Sequence, residues 1–315
     1  MHHDVCYFRL QTNSLDNLKL AAIDIGSNAI RLQVTTTIHT KGQLNFKKLE
    51  YVRFPLRLGQ DVFNTGSISP GKKTKFKKLM RAFKLLIDLY EVDDYMACAT
   101  SAMRESTNGR DIIKEVEEDI KLKIKIIDGS SEAQIINNAI NSFLDKKKNY
   151  LHIDVGGGST ELTLIKGGKK VNSKSFKIGS VRRLGHHDSP IIWNNMKKWV
   201  SSIMAIEDKI IAVGTGGNIN KLFELAGKAA GDKLTITKLK EVQAFVSDMT
   251  IDDRINELQL NPDRADVIIP ASEIYISVME WANSRNILVP NVGLKDGMMQ
   301  HLYEKNKNKE KVKFS

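Results

Sequence analysis

The stretch Leu151–Ile165, LHIDVGGGSTELTLI, decides how this chain folds. An apolar run ends at Asp154, three glycines follow, and apolar alternation resumes at Glu161. This pattern predicts two strands joined by a tight turn. Because glycine allows another group to approach the backbone closely, the turn could cradle an anion such as phosphate with its amides and hydroxyls. The residues of this turn are Gly156, Gly157, Gly158, Ser159 and Thr160.

Two acidic residues flank this turn. Asp154, at the end of the first strand, could hold a divalent cation directly or through water. Glu161, just past the turn, could return to the same site. The alternative is an ordinary glycine hairpin with a capping aspartate.

The pattern occurs a second time at Ala21–Val34, AAIDIGSNAIRLQV. Apolar residues lead to Asp24, and apolar alternation follows a short polar turn. Two similar halves that each open on this hairpin indicate duplicated domains facing one another. A phosphate chain between them would be held from both sides. The first turn contains Gly26, Ser27 and Asn28.

Length and composition indicate a globular protein. The chain has 315 residues, enough for about two domains, with 41% hydrophobic and 27% charged residues. We see no apolar run near the ~20 residues of a membrane helix and no signal-peptide layout, so we expect a cytoplasmic protein without a membrane partner. Cys6 and Cys98 are too few for a zinc finger, and a buried free thiol is favoured over a bridge between them.

The net charge of +11 favours a polyanionic partner: nucleic acid, an anionic membrane or a polyphosphate-like substrate. The lysines of Gly71–Lys78 and Lys305–Lys313 either keep the chain soluble or line a path for an anionic polymer. Because no basic stripe is interleaved with aromatic residues, we do not expect a nucleic-acid partner.

The order of predicted elements indicates layered α/β architecture. The first half contains three strands, a helix, a strand, a helix and a strand, and the second half again has strands followed by helices. Ser-Pro pairs predict helix starts at Pro70 and Pro190. We predict a loop from the end of the third strand through Asn64, a second loop over Gly179–Gly185, and a helix over roughly Pro262–Ser284 interrupted at Pro270. A hinge near residue 130 would separate the domains.

Three further features carry chemistry. Arg104, in the loop after a strand, could grip phosphate in a bidentate manner or form a surface ion pair. Glu132, in the first turn of a helix, could act as a general base, or simply stabilise the helix start. The segment Gly214–Asn218, GTGGN, could bind an anion at a helix N-terminus or merely punctuate strand and helix. For His186 and His187, a solvated pair is favoured over a metal site.

Several enzyme classes are excluded by missing motifs. No G-x-x-x-x-G-K-[ST] loop is present, which excludes a Walker-type NTPase. No G-x-G-x-x-G opens a helix with an acidic partner downstream, and no G-x-S-x-G elbow occurs. Neither a dinucleotide fold nor an acyl hydrolase is therefore expected.

Six motifs together resemble one known family. In chain order they are DIGSN at 24–28, TSAMR at 100–104, SEA at 131–133, DVGGGSTE at 154–161, GTGGN at 214–218 and GLKDG at 293–297. This order is similar to that of the exopolyphosphatase / guanosine pentaphosphate phosphohydrolase (Ppx/GppA) phosphatase family, within the actin, sugar-kinase and heat-shock-chaperone ATPase superfamily. The resemblance covers roughly residues 20 to 305, and the chain resembles the short, two-domain form.

The resemblance implies a fold and a domain division. The fold would be two duplicated ribonuclease-H-like, or actin-like, α/β domains with a cleft between them. Residues 1–130 plus about 297–315 would form the first domain, and residues 131–296 the second.

The resemblance also implies an activity and a set of roles. The family releases terminal orthophosphate from polyphosphate, or the 5′ γ-phosphate from guanosine pentaphosphate, with a divalent cation such as Mg²⁺. Glu132 would be the base for the attacking water, and Asp154 and Glu161 would lie at the metal. Phosphate would be bound by Asp24, Gly26, Ser27, Asn28, Arg104, Gly156, Gly157, Gly158, Ser159 and Thr160. Gly214, Gly216 and Gly217 match the turn that meets the nucleoside in superfamily relatives.

Two positions depart from the family's pattern. An acid and an arginine often flank the base, where this chain has Ser131 and Gln134. These departures leave open a non-catalytic sensor of polyphosphate or nucleotide as a second class of function. A homodimer is also left open.

Overall fold

The computed structural model describes residues 17–40, 43–185, 189–205 and 209–313. The start of the chain, with Cys6, and the pair His186–His187 lie outside these ranges. Cys98 is a buried free thiol, as the composition indicated.

The first sheet has five strands in the order β3-β2-β1-β4-β5. The strands β1 to β3 form an antiparallel meander, and β4 and β5 continue the sheet in parallel to β1. The strands are β1 (Lys19–Ile25), β2 (Ile30–Thr40), β3 (Gln43–Phe54), β4 (Asp94–Ala99) and β5 (Lys125–Ile126). The helices of this half are α1 (Leu58–Thr65), α2 (Pro70–Leu89), α3 (Ser101–Glu105) and α4 (Gly109–Ile120).

The second sheet has six strands in the order β10-β11-β9-β6-β7-β8. They are β6 (Asn149–Val155), β7 (Thr160–Lys166), β8 (Lys169–Phe176), β9 (Ile211–Thr215), β10 (Lys233–Thr235) and β11 (Asn286–Leu288). The helices are α5 (Gly129–Ile140), α6 (Ser180–Leu184), α7 (Pro190–Met204), α8 (Gly217–Leu225), α9 (Ile236–Ser247), α10 (Ile251–Asn256), α11 (Pro262–Ala265), α12 (Ile268–Trp281) and α13 (Leu294–Lys313). A 3₁₀ turn at Asn141–Phe143 follows α5.

Both sheets repeat one topology, which confirms the predicted duplicated α/β fold. In each, an antiparallel three-stranded meander is followed by a fourth strand that pairs in parallel with the first: β3-β2-β1-β4 and β8-β7-β6-β9. This is the ribonuclease-H-like arrangement. It places the β1–β2 turn and the β6–β7 turn at equivalent ends of the two sheets.

A shared apolar cluster joins the two halves. Leu20 and Ala22 of β1 belong to the same buried apolar cluster as Ile136 and Ile140 of α5, and α13 packs on both β1 and α5. Helix α13 comes so close that a Cβ on Gly297 would lie 2.1 Å from the Ile135 carbonyl oxygen. The terminal helix thus contacts the first sheet, while the division at residue 130 stays a prediction.

Three local predictions were wrong. Residues 58–65 form a helix rather than a loop, because Leu58 and Val62 bury one face of it. Residues 180–184 also form a short helix. The helix predicted over 262–284 breaks between α11 and α12, whereas Pro270 lies in the first turn of α12, where a missing N–H is tolerated.

Among the helices of the described residues, none is both long and apolar enough to cross a bilayer.

Candidate active site in the cleft between the two sheets

A cleft of about 780 Å³ lies where the two hairpin turns meet. The turns approach one another closely, since a Cβ on Gly157 would lie 3.0 Å from the Ser27 Cβ. Ser27 Oγ also hydrogen-bonds Ser101 Oγ at 2.8 Å, which anchors the first turn to α3. The residues of the two turns that line the cleft are Asp24, Gly26, Ser27, Asn28, Asp154, Gly156, Gly157 and Ser159.

Three carboxylates meet at this cleft. Glu132, Asp154 and Glu161 each offer an oxygen, and these oxygens lie within 4.8 Å of one another. Asp154 ends β6 and pairs across the hairpin with Glu161 of β7, so both side chains share one face of the sheet. Glu132 comes from the first turn of α5, whose start is capped by Asp128. The sequence places two of these acids by local pairing, and the tertiary structure adds the third.

The protein raises the pKa of every acid in the cluster. Burial, followed by the charges of Glu161 and Asp154, raises the pKa of Glu132 well above its usual value. Burial raises the pKa of Asp154 to about 6, although a hydrogen bond from Thr215 opposes the rise. Burial and then Asp154 raise the pKa of Glu161 to about 7. The shifts share a physical cause, since carboxylates held close together and away from water disfavour ionisation.

The donor set fits a hard divalent cation. Carboxylate oxygens are the ligands that Mg²⁺ and Ca²⁺ prefer. Oε2 of Glu132 is buried and has no hydrogen-bond partner among the described residues. A buried, unpartnered carboxylate oxygen beside two other acids is destabilising unless a cation or proton neutralises it. The cluster could therefore bind a metal ion.

Arg104 lies in the last turn of α3 and influences the acids through its charge. Its Nη1 donates a hydrogen bond of 2.7 Å to the carbonyl oxygen of Ile127. Its charge opposes the rise in the pKa of Glu132 and of Glu161. The predicted contact of Arg104 with phosphate stays a prediction.

Three predicted binding residues face protein rather than the cleft. Gly158 lies against Phe63, and a Cβ there would lie 2.4 Å from that ring. Thr160 Oγ1 donates to the carbonyl oxygen of Ile178 at 2.6 Å. Gly214 lies inside β9, where a Cβ would clash with Ile287. In this geometry Gly158, Thr160 and Gly214 contribute to the packing that shapes the turns.

The other two glycines of the GTGGN motif do line the cleft. Gly216 has φ of +115°, a conformation that favours glycine, and it precedes the first turn of α8. Gly217 then begins α8, so that the helix N-terminus opens toward the cleft. This arrangement suits an anionic ligand.

Sequence reasoning missed an arginine-rich wall of the cleft. Arg31 of β2 and Arg53 of β3 are paired across the first sheet, and Arg264 approaches from α11. Burial, then the charges of Arg53 and Arg31, lowers the pKa of Arg264. Pairing of the second and third strands could have placed Arg31 and Arg53 together, whereas no local signal marks Arg264.

Asp263 ties the two halves together beside this wall. It is 5% exposed and accepts hydrogen bonds from Arg53, including one of 3.1 Å. The Asn28 amide donates to the Asp263 carbonyl oxygen at 2.8 Å and to its carboxylate at 3.0 Å. Asn28, predicted in the phosphate turn, thus also links that turn to α11.

Comparison with known proteins identifies the family. The model of the Ppx/GppA phosphatase family matches residues 37–306. The chain belongs to this family. The resemblance inferred from the motifs is thereby confirmed.

Curated proteins of several bacteria align with most of this chain. A bifunctional 3-dehydroquinate synthase/phosphatase of Fusobacterium nucleatum is 29% identical over 93% of the chain and 47% of that protein. A guanosine-5′-triphosphate,3′-diphosphate pyrophosphatase of Aeromonas salmonicida is 23% identical over 91% of the chain and 60% of that protein. Exopolyphosphatase 1 of Mycobacterium leprae is 22% identical over 90% of the chain and 88% of that protein. The chain thus spans only about half to three fifths of the first two relatives.

A solved structure supports the fold. The crystal structure of an exopolyphosphatase from Cytophaga hutchinsonii aligns with a TM-score of 0.79 at 19% identity. The alignment covers 91% of this chain and 98% of that one. This Ppx/GppA phosphatase family member therefore has the family's two-sheet fold.

Proposed function

We propose that the protein is an exopolyphosphatase that releases terminal orthophosphate from inorganic polyphosphate in a metal-dependent hydrolysis. The observation that carries this proposal is the cluster of Glu132, Asp154 and Glu161 at the point where two anion-binding turns meet. A phosphoanhydride needs donors for its oxygens, a cation and a positioned water. The similarity to the exopolyphosphatase of M. leprae along 88% of that protein agrees with this choice.

The two turns and the arginine wall bind the anionic polymer. The backbone amide of Gly157, with Ser27 of the facing turn, lies where the terminal phosphate would enter, whereas the Gly156 amide holds the turn together by donating to the Ser159 carbonyl oxygen at 2.9 Å. Arg31 and Arg264 supply positive charge to phosphates farther along the cleft. The transition state spreads negative charge over phosphoryl oxygens, so these fixed donors stabilise it more than they stabilise the substrate.

Glu132 serves as the base for the attacking water. Its Oε2 has no hydrogen-bond partner among the described residues, so this oxygen is available to accept a proton once the carboxyl is ionised, and a cation held beside it would favour that ionised form. Asp154 and Glu161 would hold the cation, proposed to be Mg²⁺. When bound, the cation neutralises phosphoryl charge and orients the substrate.

Glu132→Gln tests this assignment. Loss of a general base lowers turnover by about 10²- to 10⁴-fold. The assay is orthophosphate release from polyphosphate of defined length, with Mg²⁺ and with chelator. Glu115→Gln, which changes a surface carboxylate paired with Lys73, is the matched control. Near-normal release by Glu132→Gln, or full wild-type activity in chelator, would defeat the proposal.

The second candidate is a guanosine pentaphosphate phosphohydrolase. The relative from A. salmonicida motivates it, as does the length of the cleft beyond the two turns. That outer part is lined by Asn220, Lys221 and Phe223 of α8, which offer hydrogen bonds, charge and an aromatic edge. Competition between polyphosphate and the nucleotide for phosphate release separates the two activities.

A non-catalytic sensor is the third candidate, motivated by Ser131 and Gln134. The Ser131 amide donates to Asp128 at 2.7 Å, and Gln134 hydrogen-bonds Asn138 along α5 at 3.2 Å. Neither side chain belongs to the acidic cluster, so these departures leave its three carboxylates in place. Tight polyphosphate binding without any turnover would favour the sensor. The cytoplasmic location, the homodimer and the absence of a nucleic-acid partner stay predictions.

A further inference from the structure

A line of buried polar side chains runs behind the acidic cluster. Strands β6 and β9 are parallel, and their register places Thr215 beside Asp154. His152 lies two residues before Asp154 on β6, so both side chains project from the same face of the sheet. His152 and Thr215 are completely buried.

Their hydrogen bonds have one consistent direction. Thr215 Oγ1 donates to Oδ1 of Asp154 at 2.6 Å. A hydroxyl has a single proton, so Oγ1 must act as the acceptor toward Nε2 of His152, 2.8 Å away. The proton of the His152 ring is therefore on Nε2.

This arrangement leaves Nδ1 of His152 buried and, within the described ranges, without a hydrogen-bond partner. An unsatisfied buried acceptor is destabilising, and an apolar residue would fill the same place without that loss. Stability alone gives no reason for a histidine here. The role of His152 is to donate a hydrogen bond to Thr215 Oγ1, which orients the Thr215 hydroxyl proton toward Asp154.

The backbone of Thr215 is held as well. The Tyr275 hydroxyl donates to the Thr215 carbonyl oxygen and accepts from the Val155 amide at 3.3 Å. Tyr275 is completely buried in α12, so it fixes the ends of β6 and β9 relative to each other. The Thr215 side chain consequently has one position from which to reach Asp154.

The consequence lies at the other oxygen of Asp154. With Oδ1 bound by Thr215, Oδ2 accepts no hydrogen bond from the described part of the chain. Asp154 lines the cleft and belongs to the acidic cluster. One oxygen is thus held by the protein, and the other is left for a cation.

We propose that Thr215 is a positioning residue for the cation site, and that His152 sets the direction of its hydroxyl. The threonine of GTGGN then serves the metal carboxylate, whereas the neighbouring glycines shape the ligand turn. This inference deepens the proposed function and rests on its cation site. Hydrogen-bonded partners of ligating carboxylates typically change metal affinity by about 10- to 100-fold when removed.

Thr215→Val removes the hydroxyl and keeps the β-branched shape. We expect it to weaken binding of Mn²⁺ by about 10- to 100-fold, measured by titration with electron paramagnetic resonance and checked for Mg²⁺ by calorimetry. Thr215→Ser keeps the hydroxyl and should restore binding. Thr35→Val is the matched control, because Thr35 is equally buried in the other sheet and its hydroxyl donates to Met299 Sδ at 3.3 Å.

His152 provides an independent variant if Thr215→Val fails to fold. His152→Phe removes the Nε2 donor and should weaken Mn²⁺ binding, whereas His152→Gln carries an amide N–H at a similar reach and should preserve more of it. Wild-type cation affinity in Thr215→Val, or in His152→Phe if Thr215→Val does not fold, would overturn the inference.

The measurement also separates this inference from the proposed activity. Weakened cation binding in Thr215→Val, with no phosphate release from polyphosphate by the wild type, would support the positioning role and refute the exopolyphosphatase. Phosphate release by the wild type, with unchanged cation affinity in Thr215→Val, would support the exopolyphosphatase and refute the positioning role. A wild-type chain that binds neither Mn²⁺ nor Mg²⁺ would refute both.

Discussion

Glu161→Gln should stabilise the cation-free protein at alkaline pH. Glu161 is 1% exposed, and burial with the nearby Asp154 raises its pKa from 4.5 to about 7. Between these values the folded chain binds more protons than the unfolded chain. Stability therefore falls as pH rises through this window, and the loss is complete above about pH 7.

The size of the effect follows from the shift. Ionising Glu161 in the folded protein rather than in the unfolded chain costs roughly 3 kcal/mol. Glutamine cannot ionise, and its Oε1 can still accept the hydrogen bond of 2.7 Å from Ser175 Oγ. We expect the variant to exceed the wild type by up to about 3 kcal/mol at pH 8, and by nothing from this source below about pH 4.5.

The assay is urea unfolding from pH 4 to pH 9 in the presence of chelator. The surface variant Glu115→Gln should be less stable than the wild type at pH 8, because hydrogen bonds from Lys73 and Lys77 lower the pKa of Glu115 and so favour its charged form in the folded protein. Adding Mg²⁺ should stabilise the wild type more than Glu161→Gln, since binding to the folded state adds about 2.7 kcal/mol at 100 times the Kd. A variant less stable than the wild type at pH 8 in chelator would refute the view that the three acids repel one another.

Three other predictions concern packing and the closure of the cleft. Gly297→Ala should destabilise the fold by about 1–3 kcal/mol, because its Cβ would lie 2.1 Å from a carbonyl oxygen of α5, whereas Gly293→Ala meets no described atom within 4 Å and should be nearly neutral in thermal unfolding. Arg182→Lys should cost about 1.5–3 kcal/mol in urea unfolding, because lysine cannot hold both Glu105 and the Gly158 carbonyl oxygen, and an unchanged midpoint would contradict this. Asp263→Ala should cost up to about 3–5 kcal/mol, because it removes the carboxylate partner of the largely buried Arg53 side chain, and small-angle scattering should show a more open cleft.

Much of the fold could be read from local patterns. Each hairpin is encoded by a contiguous segment of about fifteen residues, so the pairing of Asp154 with Glu161 follows from one short turn. Helix starts at Pro70 and Pro190 were confirmed because serine caps and proline act within one turn. The helix at 58–65 was not predicted because its local sequence carries no strong helix signal. Burial against the rest of the fold stabilises it instead.

What the sequence by itself determined is the pair of facing hairpins, their acids and glycines, and the family. Only the tertiary structure brought Glu132 to Asp154 and Glu161, set Arg264 opposite Arg31, and turned Thr215 toward a carboxylate. The physical reason is that hydrogen-bond patterns of turns act over a few residues. Burial and charge act through space, and they depend on which distant segments exclude water from the cleft.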